Sequence, residues 1–410
     1  MHRGERAPSY RALLEIPTLG RIVAGMALSR TANSMLGVAI ILFALTRFQS
    51  PALAGIVTFA AVAPGLALSP IAGALLDRHG RTRLIVADQL IAAASLVLIA
   101  TLALTNVLTA PMLVVMAAIA GLTNPLSSVG LRTLFPVIVP RHLWERINAV
   151  DSNGYVVATL VGPPAAGLLV QVAGGPQTLL LIAALYGVSA LVFTRVREPE
   201  ITTSSTGRLL VDAWLGLQYT LRNPTLRGLG VTMTLVNLGW GIVTIVLPVL
   251  LLETLGYGEA VVGIAFAVSG VTGGVGAILA GRLRVQGRER PMLVWPMFGM
   301  AAAAAAMTVS PTLPVVIGVM AVQGFLNGPM DVAMFTLRQR RTDPAWLGRA
   351  FAVSMSINFL GYPIGAAIGG TLVGSSVALA LGVAVVCTIA AGISGWLLLP
   401  RETRPEARLQ

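Results

Sequence analysis

Residues 73–85 of the chain read Gly73-Ala-Leu-Leu-Asp77-Arg78-His-Gly80-Arg81-Thr-Arg83-Leu-Ile85. This polar stretch, here called the 73–85 turn, separates two long apolar runs at residues 52–76 and 84–104. A helix needs about 20 apolar residues to cross the hydrocarbon core of a bilayer, and both runs reach that length. The sequence therefore predicts two membrane-spanning helices joined by a tight polar turn.

The composition of the whole chain is that of a membrane protein. Of its 410 residues, 56% are hydrophobic and 11% are charged, whereas about a quarter of the residues in a soluble domain are charged. The single cysteine, Cys387, lies in an apolar run, so we expect no disulfide framework and no cysteine metal site within one chain. A net charge of +12 would suggest nucleic acid in a soluble protein. Here the basic residues flank apolar runs, so we expect the lipid bilayer as a partner and no nucleic acid.

Hydropathy predicts an all-α integral membrane protein with twelve transmembrane helices. The predicted helices cover residues 19–45, 52–76, 84–104, 111–131, 146–172, 177–195, 225–252, 260–281, 291–308, 314–337, 345–373 and 376–399. With an even number of spans, the two termini lie on the same side of the membrane.

The distribution of arginine predicts the orientation, because basic residues in short loops are retained on the cytoplasmic side. With the amino terminus inside, Arg47 is the one arginine that falls outside, and Arg30 is the one that lies deep within a predicted helix rather than near its end. We therefore expect a multi-pass protein of the inner (plasma) membrane with both termini in the cytoplasm. The first 18 residues are polar, so we expect no cleavable signal peptide.

The chain contains an internal repeat, which predicts two related halves. A shift of 203 residues pairs Gly121 with Gly324, Asn124 with Asn327, Arg146 with Arg349 and Gly162 with Gly365. We expect two six-helix bundles, residues 1–197 and 224–410, related by pseudo-twofold symmetry. Residues 198–223 would form a cytoplasmic linker, whose amphipathic part with Trp214 and Tyr219 would lie at the membrane surface.

The motif Gly73-x-Leu75-x-Asp77-Arg78-x-Gly80-Arg81-x-Arg83 resembles the signature between the second and third helices of the major facilitator superfamily, and it differs mainly at Thr82. The resemblance covers the whole chain and implies that superfamily's fold and a transport function. In the family this loop latches the cytoplasmic gate, with its aspartate near the start of the eleventh helix. Here Thr342-Asp343-Pro344 reads as a helix cap followed by proline at the first helical position. The residues assigned to the latch are Gly73, Asp77, Arg78, Gly80, Arg81 and Arg83; the alternative is that the arginines only enforce topology.

A second segment, Gly162-Pro163-Pro164-Ala165-Ala166-Gly167, is similar to the Gly-Pro-x-x-Gly-Gly segment in the fifth helix of exporters of this superfamily, with Ala166 in place of one glycine. The resemblance implies export, with Gly162, Pro163 and Gly167 serving close helix packing. Ordinary helix packing is the alternative. The register that carries Arg-x-x-Gln-Gly in the fourth helix of many drug and proton antiporters reads Ala117-Ala-Ile-Ala-Gly121 here.

Polar side chains inside apolar spans are the best indicators of a transport path. Arg30 lies about 16 Å into the first helix at 1.5 Å per residue, where it can bind a polar or anionic substrate group. Alternatively, it can pair with a carboxylate such as Asp151 or with backbone carbonyls. Helical spacing and the repeat place further candidates for cavity lining, although core packing explains each of them almost as well: Asn33, Asn237, Trp240, Tyr155 and Asn358.

Three acids, Asp88, Asp151 and Asp331, also fall within predicted spans. They can pair with nearby arginines, for which the candidates are Arg132, Arg146, Arg338 and Arg349. A carboxyl group in a low-dielectric site can also carry a proton through a transport cycle, and Asp151 and Asp331 are the candidates for proton coupling.

The sequence contains no pattern typical of an enzyme. His2, His79 and His142 lack the spacing of metal ligands, and no nucleophile with a base or phosphate-binding loop is present. We therefore expect no cofactor and no metal, and transport driven by an ion gradient or by the substrate's own gradient. The leading hypothesis is a monomeric secondary active transporter that exports small amphipathic molecules or drugs by alternating access, coupled to protons. The alternatives are an importer or facilitator of a small anionic metabolite, and a membrane scaffold or sensor that transports nothing.

Overall fold

The computed structural model describes residues 12–13, 15–16, 18–196, 198, 209–282, 287–343 and 346–400. Within these ranges twelve helices are long and apolar enough to cross a membrane, as predicted. They are α1 Leu19–Phe48, α2 Pro51–His79, α3 Arg81–Leu104, α4 Ala110–Ile138, α5 Trp144–Ala173, α6 Gly175–Thr194, α7 Pro224–Val249, α8 Glu259–Gly281, α9 Glu289–Val309, α10 Leu313–Arg341, α11 Leu347–Val373 and α12 Val377–Leu398. A shorter linker helix, Leu209–Arg222, precedes α7.

The helices of each half pack against equivalent neighbours. In the first half α1 packs against α5 and α6, α2 against α4, and α3 against α4 and α6. In the second half α7 packs against α11 and α12, and α9 against α10 and α12. The pattern therefore repeats with an offset of six helices, as expected from a duplicated sequence.

By compactness the chain divides into two units. The first comprises Met1–Leu209 with Gly256–Ala267, and the second comprises Leu210–Leu255 with Val268–Gln410. The first turn of α8 belongs to the first unit, where Ala260 N–H donates to Gln171 Oε1 of α5 at 3.0 Å. The division at residues 198–223 that the sequence suggests stays a prediction.

The 73–85 turn is shorter than the hydropathy pattern predicts. Helix α2 continues to His79 and α3 begins at Arg81, so Gly80 alone connects them. Gly80 has a φ of 89°, a conformation that side chains with a Cβ rarely adopt. Hydropathy locates the apolar part of a helix but not its polar ends, and here each helix extends about one turn beyond its apolar run.

The linker helix is attached to the second unit through its last turn. The Tyr219 ring stacks on Trp346 at 5.1 Å between centroids, and its hydroxyl accepts a hydrogen bond from Asp343 N–H at 2.9 Å. Trp214 is exposed; its placement at the membrane surface stays a prediction. The predicted cap of α11 includes Pro344, which lies outside the described residues.

Candidate functional site

Arg30 of α1 is bound to Asp151 of α5 inside the first unit. Its Nη2 donates to Asp151 Oδ1 and its Nη1 donates to the Asp151 carbonyl oxygen, both at 2.5 Å. Arg30 is 6% exposed and Asp151 is 9% exposed. The guanidinium of Arg30 thus binds both a carboxylate and a backbone carbonyl, which are the structural partners considered for it.

The ion pair lies beside the ring of Tyr155, which is on the same helix as Asp151. Tyr155 follows Asp151 by one turn, and the Arg30 guanidinium lies 3.6 Å from its ring centroid. The Arg132 guanidinium of α4 lies 5.3 Å from the same ring. Gly154 leaves room for the ion pair, because a Cβ there would lie 3.0 Å from Arg30 Nη1. Two cations therefore share the Tyr155 ring, and one of them is neutralised by Asp151.

A separate hydrogen-bonded group surrounds Asn33, about one turn after Arg30 on α1. Asn33 Oδ1 accepts from Asn124 Nδ2 of α4 at 3.2 Å and from the Tyr186 hydroxyl of α6 at 3.4 Å. This group links three helices of the first unit through neutral side chains. The sequence indicated Asn33 and Asn124 separately; it gave no sign that they meet.

In the second unit the candidates Asn237 and Asn358 meet at the contact between α7 and α11. Asn237 Nδ2 donates to the Asn358 carbonyl oxygen at 3.0 Å. The amide of Asn358, oriented to donate to the Ser354 carbonyl oxygen at 3.0 Å, accepts a hydrogen bond from Arg338 Nη2. Trp240 lies about one turn beyond Asn237 on α7 and is half-buried.

Arg338 of α10 is fully buried, and among the described residues no acid pairs with it. Its Nη1 donates to Met355 Sδ, and its guanidinium lies 5.2 Å from the Phe351 ring centroid. It does not reach Asp331, whose Oδ2 accepts from Asn327 Nδ2 on the same helix at 2.8 Å. The expected pairing of Arg338 with an acid is therefore wrong. The side chain of Arg349 lies outside the described residues.

The 73–85 turn carries a charged bridge that includes a residue the sequence did not indicate. Arg81 pairs with Asp77, and Arg81 Nη1 lies 3.0 Å from Glu198 Oε1, just beyond α6. Glu198 Oε2 also accepts from Thr82 N–H at 3.1 Å. In the sequence, the only indication of this role was that an acidic residue follows α6 on the side of the membrane predicted to be rich in arginine.

The other residues assigned to the latch are less engaged. Arg78 and Arg83 are exposed and form no ion pair with a described residue. A Cβ at Gly73 would meet nothing within 4 Å, so this position does not require glycine for a close approach. The ion pairs of the turn among the described residues are thus those that join Asp77, Arg81 and Glu198.

The segment Gly162–Gly167 of α5 lies in two close helix contacts of the first unit. A Cβ at Gly162 would lie 2.7 Å from the side chain of Ser34 on α1. Gly167 lies against the Glu259 carbonyl oxygen, and the Pro163 carbonyl oxygen lies against Gly263. The packing role assigned to these residues is consistent with their small volume.

We expect Glu198→Gln to loosen the 73–85 turn. Glutamine keeps the shape of glutamate but loses the charge that Arg81 and Thr82 N–H bind. In hydrogen–deuterium exchange of the purified protein in nanodiscs, the amides of residues 79–85 should exchange at least severalfold faster. Arg83→Gln, at an exposed position of the same turn, should leave exchange unchanged. Equal exchange rates in Glu198→Gln and the wild type would remove Glu198 from the bridge.

Charged and amide side chains gathered inside apolar spans, on helices that pack as a duplicated set of six, are typical of membrane transport proteins. The family model "Major Facilitator Superfamily" matches residues 22–283 and 229–410. The chain belongs to the major facilitator superfamily. It is a multi-pass membrane transporter of that superfamily and not an enzyme.

Two relatives show how far the similarity extends. The "Uncharacterized MFS-type transporter y4rN" of Sinorhizobium fredii (strain NBRC 101917 / NGR234) is 38% identical over 98% of this chain and 100% of its own length. The "Multidrug efflux pump Tap" of Mycobacterium tuberculosis (strain ATCC 25618 / H37Rv) is 27% identical over 86% of this chain and 88% of the pump.

Solved structures resemble the fold. The nucleoside transporter NupG aligns with a TM-score of 0.73 at 12% identity, over 93% of this chain and 99% of that chain. A bacterial homologue of the human lysosomal transporter Spinster aligns with a TM-score of 0.72 at 14% identity, over 96% and 97%. At these identities both support the fold alone.

Proposed function

We propose that the protein is a secondary active transporter that exports small amphipathic molecules in exchange for protons by alternating access. The observation that carries the proposal is the buried ion pair between Arg30 and Asp151, because a charged pair inside an apolar span has a high desolvation cost and marks function. Export is supported by the similarity to the Tap efflux pump and by the glycine-proline segment of α5.

In this proposal Asp151 is a coupling residue. Protonation of Asp151 removes the charge that holds Arg30, and the released guanidinium is then attracted more strongly to the Tyr155 ring or to a substrate group. Asp331 is the second coupling residue, since its protonation converts an acceptor of the Asn327 hydrogen bond into a donor. The side chains proposed to bind substrate are Arg30, Asn33 and Tyr155 in the first unit and Asn237, Trp240 and Asn358 in the second.

The ion pair between Arg30 and Asp151 supports an amphipathic substrate rather than a small anion bound at Arg30. An anionic substrate would have to compete with the Asp151 carboxylate, which lies at 2.5 Å from Arg30 Nη2. A compound without a negative charge does not compete with Asp151 for Arg30 and can contact the exposed part of the Tyr155 ring. We further propose that the protein works as a monomer in the plasma membrane with both termini in the cytoplasm.

Transport assays in proteoliposomes test this proposal. We would measure uptake of a panel containing ethidium, Hoechst 33342, a nucleoside and a small organic anion, with and without an imposed pH gradient. The expected result is that protons leaving the vesicle drive accumulation of a dye inside it. Anion uptake independent of the pH gradient would favour a facilitator, and absence of flux for the whole panel would contradict export of amphipathic compounds.

A further inference from the structure

Asp88 of α3 is a buried acid that the proposed mechanism does not use. It is 3% exposed, and no described basic side chain forms an ion pair with it. Its Oδ1 has no hydrogen-bond partner among the described residues. The next residue, Gln89, is fully buried, and neither its amide nitrogen nor its amide oxygen is hydrogen-bonded there. Asp88 thus lies in a polar pocket that lacks a cation.

The groups around Asp88 are hydroxyls. Helix α3 packs mainly against α4 and α6. From α4 the hydroxyl groups of Thr123 and Ser127 face the carboxyl group, and Tyr186 of α6 lies close enough for a charge on Asp88 to act on it. Helix α2 presents no charged side chain to it within the described structure. The pocket therefore contains no positive charge to balance a carboxylate.

Asp151 provides a contrast within the same unit. It is buried to a similar degree, yet Arg30 binds both its carboxylate and its backbone carbonyl. An ionised carboxylate is tolerated in a protein interior when a cation and hydrogen bonds replace its water. Asp151 meets this condition and Asp88 does not. A neutral carboxylic acid, in contrast, needs one acceptor for its O–H and little else.

We propose that Asp88 carries a proton in this conformation and is a third proton-coupling residue of the transporter. The carboxylic O–H donates to a hydroxyl oxygen of α4, and the proton passes to water when α3 and α4 separate and water enters the pocket. On return the carboxylate takes a proton from water and the pocket closes. This inference rests on the proposed proton-coupled transport.

The pocket is connected to a candidate substrate residue. The Tyr186 hydroxyl donates to Asn33 Oδ1 at 3.4 Å, and a charge on Asp88 acts electrostatically on Tyr186. Loss of the Asp88 proton would place a negative charge near Tyr186, which attracts the hydroxyl proton away from Asn33 Oδ1 and weakens that hydrogen bond. The charge state of Asp88 is thereby linked to the orientation of Asn33.

Infrared spectroscopy tests the proton directly and needs no substrate. The wild type in lipid at pH 7 should show the carbonyl stretch of a protonated carboxylic acid, which shifts on exchange into deuterium oxide. This band should be missing in Asp88→Asn and should persist in Asp151→Asn. Ser127→Ala and Thr123→Val should move its frequency, because they remove the hydroxyls that face the carboxyl group. Absence of the band in the wild type, or its persistence in Asp88→Asn, would overturn the proposal.

Transport assays test the coupling role separately. Asparagine is neutral and close in shape to a protonated aspartate, so Asp88→Asn should fold with a melting temperature near that of the wild type. Accumulation of dye driven by a pH gradient should fall at least tenfold, while dye exchange without a gradient stays within about twofold. Unchanged gradient-driven accumulation would exclude Asp88 from coupling. If no compound is transported by the wild type, the proposed function fails, and the infrared band still decides whether Asp88 holds a proton.

Discussion

Arg30→Ala is expected to be the most damaging single charge change in the first unit. It leaves the Asp151 carboxylate buried without its cation, and breaking a buried pair by removing one partner costs about 3–5 kcal/mol. We expect a clear fall in melting temperature of the purified protein and loss of gradient-driven transport. Arg132→Ala is the matched control, because Arg132 is exposed and contacts only the edge of the same cluster at 5.3 Å from the Tyr155 ring.

A double substitution separates stability from transport at this pair. Arg30→Met with Asp151→Ala replaces two buried charges by apolar side chains no larger than the originals, and replacing a buried ion pair by apolar residues is often neutral or stabilising. We expect the melting temperature to return to near the wild-type value while coupled transport stays absent. A double variant that transports as well as the wild type would show that the ion pair serves structure only, and would remove Arg30 and Asp151 from the mechanism.

The number and order of the helices could be predicted because both depend on a strong and local signal. A run of about 20 apolar residues has few alternatives to a membrane-spanning helix, and the arginine distribution keeps twelve such runs in a consistent topology. The length of the 73–85 turn was not predictable in the same way. Asp77 and Arg81 are polar, so hydropathy ends the helices before them, although both residues are helical and bonded to each other.

The candidate site was predictable only in part, because a single sequence shows which polar residues fall within apolar runs but not how deeply they are buried or what they contact. Arg30 was identifiable, since a charge that deep must have a partner or a function. That Arg30 pairs with Asp151 and not with another acid depends on how α1 crosses α5, which the sequence does not show. Arg338 was taken for a residue near a helix end that could pair with an acid, yet it is fully buried among Met355, Phe351 and Asn358. Glu198 was read as the start of a linker.

The second large effect is expected where α7 and α11 cross. Gly361, Gly365 and Gly369 recur every four residues on α11 and so lie on one face, and each approaches the backbone of α7: Gly361 that of Thr234, Gly365 that of Leu238 and Gly369 that of Ile242. A methyl group at any of them would overlap main-chain atoms, which cannot rotate away as a side chain can. The two helices would have to move apart along their whole contact.

Gly365→Ala should therefore destabilise the protein by about 1–3 kcal/mol, the usual range for overpacking. The same change at Gly382 of α12, where a Cβ would meet nothing within 4 Å, should stabilise the helix by up to about 1 kcal/mol because alanine is the better helix former. The expected result is thus a lower melting temperature than the wild type for the Gly365 variant and a higher one for the Gly382 variant. The double variant Gly361→Ala with Gly365→Ala should lose less free energy of unfolding than the two single variants lose together, since one separation of the helices relieves both overlaps. A fully additive loss would mean that each glycine is accommodated by local adjustment, and that α7 and α11 do not move as rigid bodies.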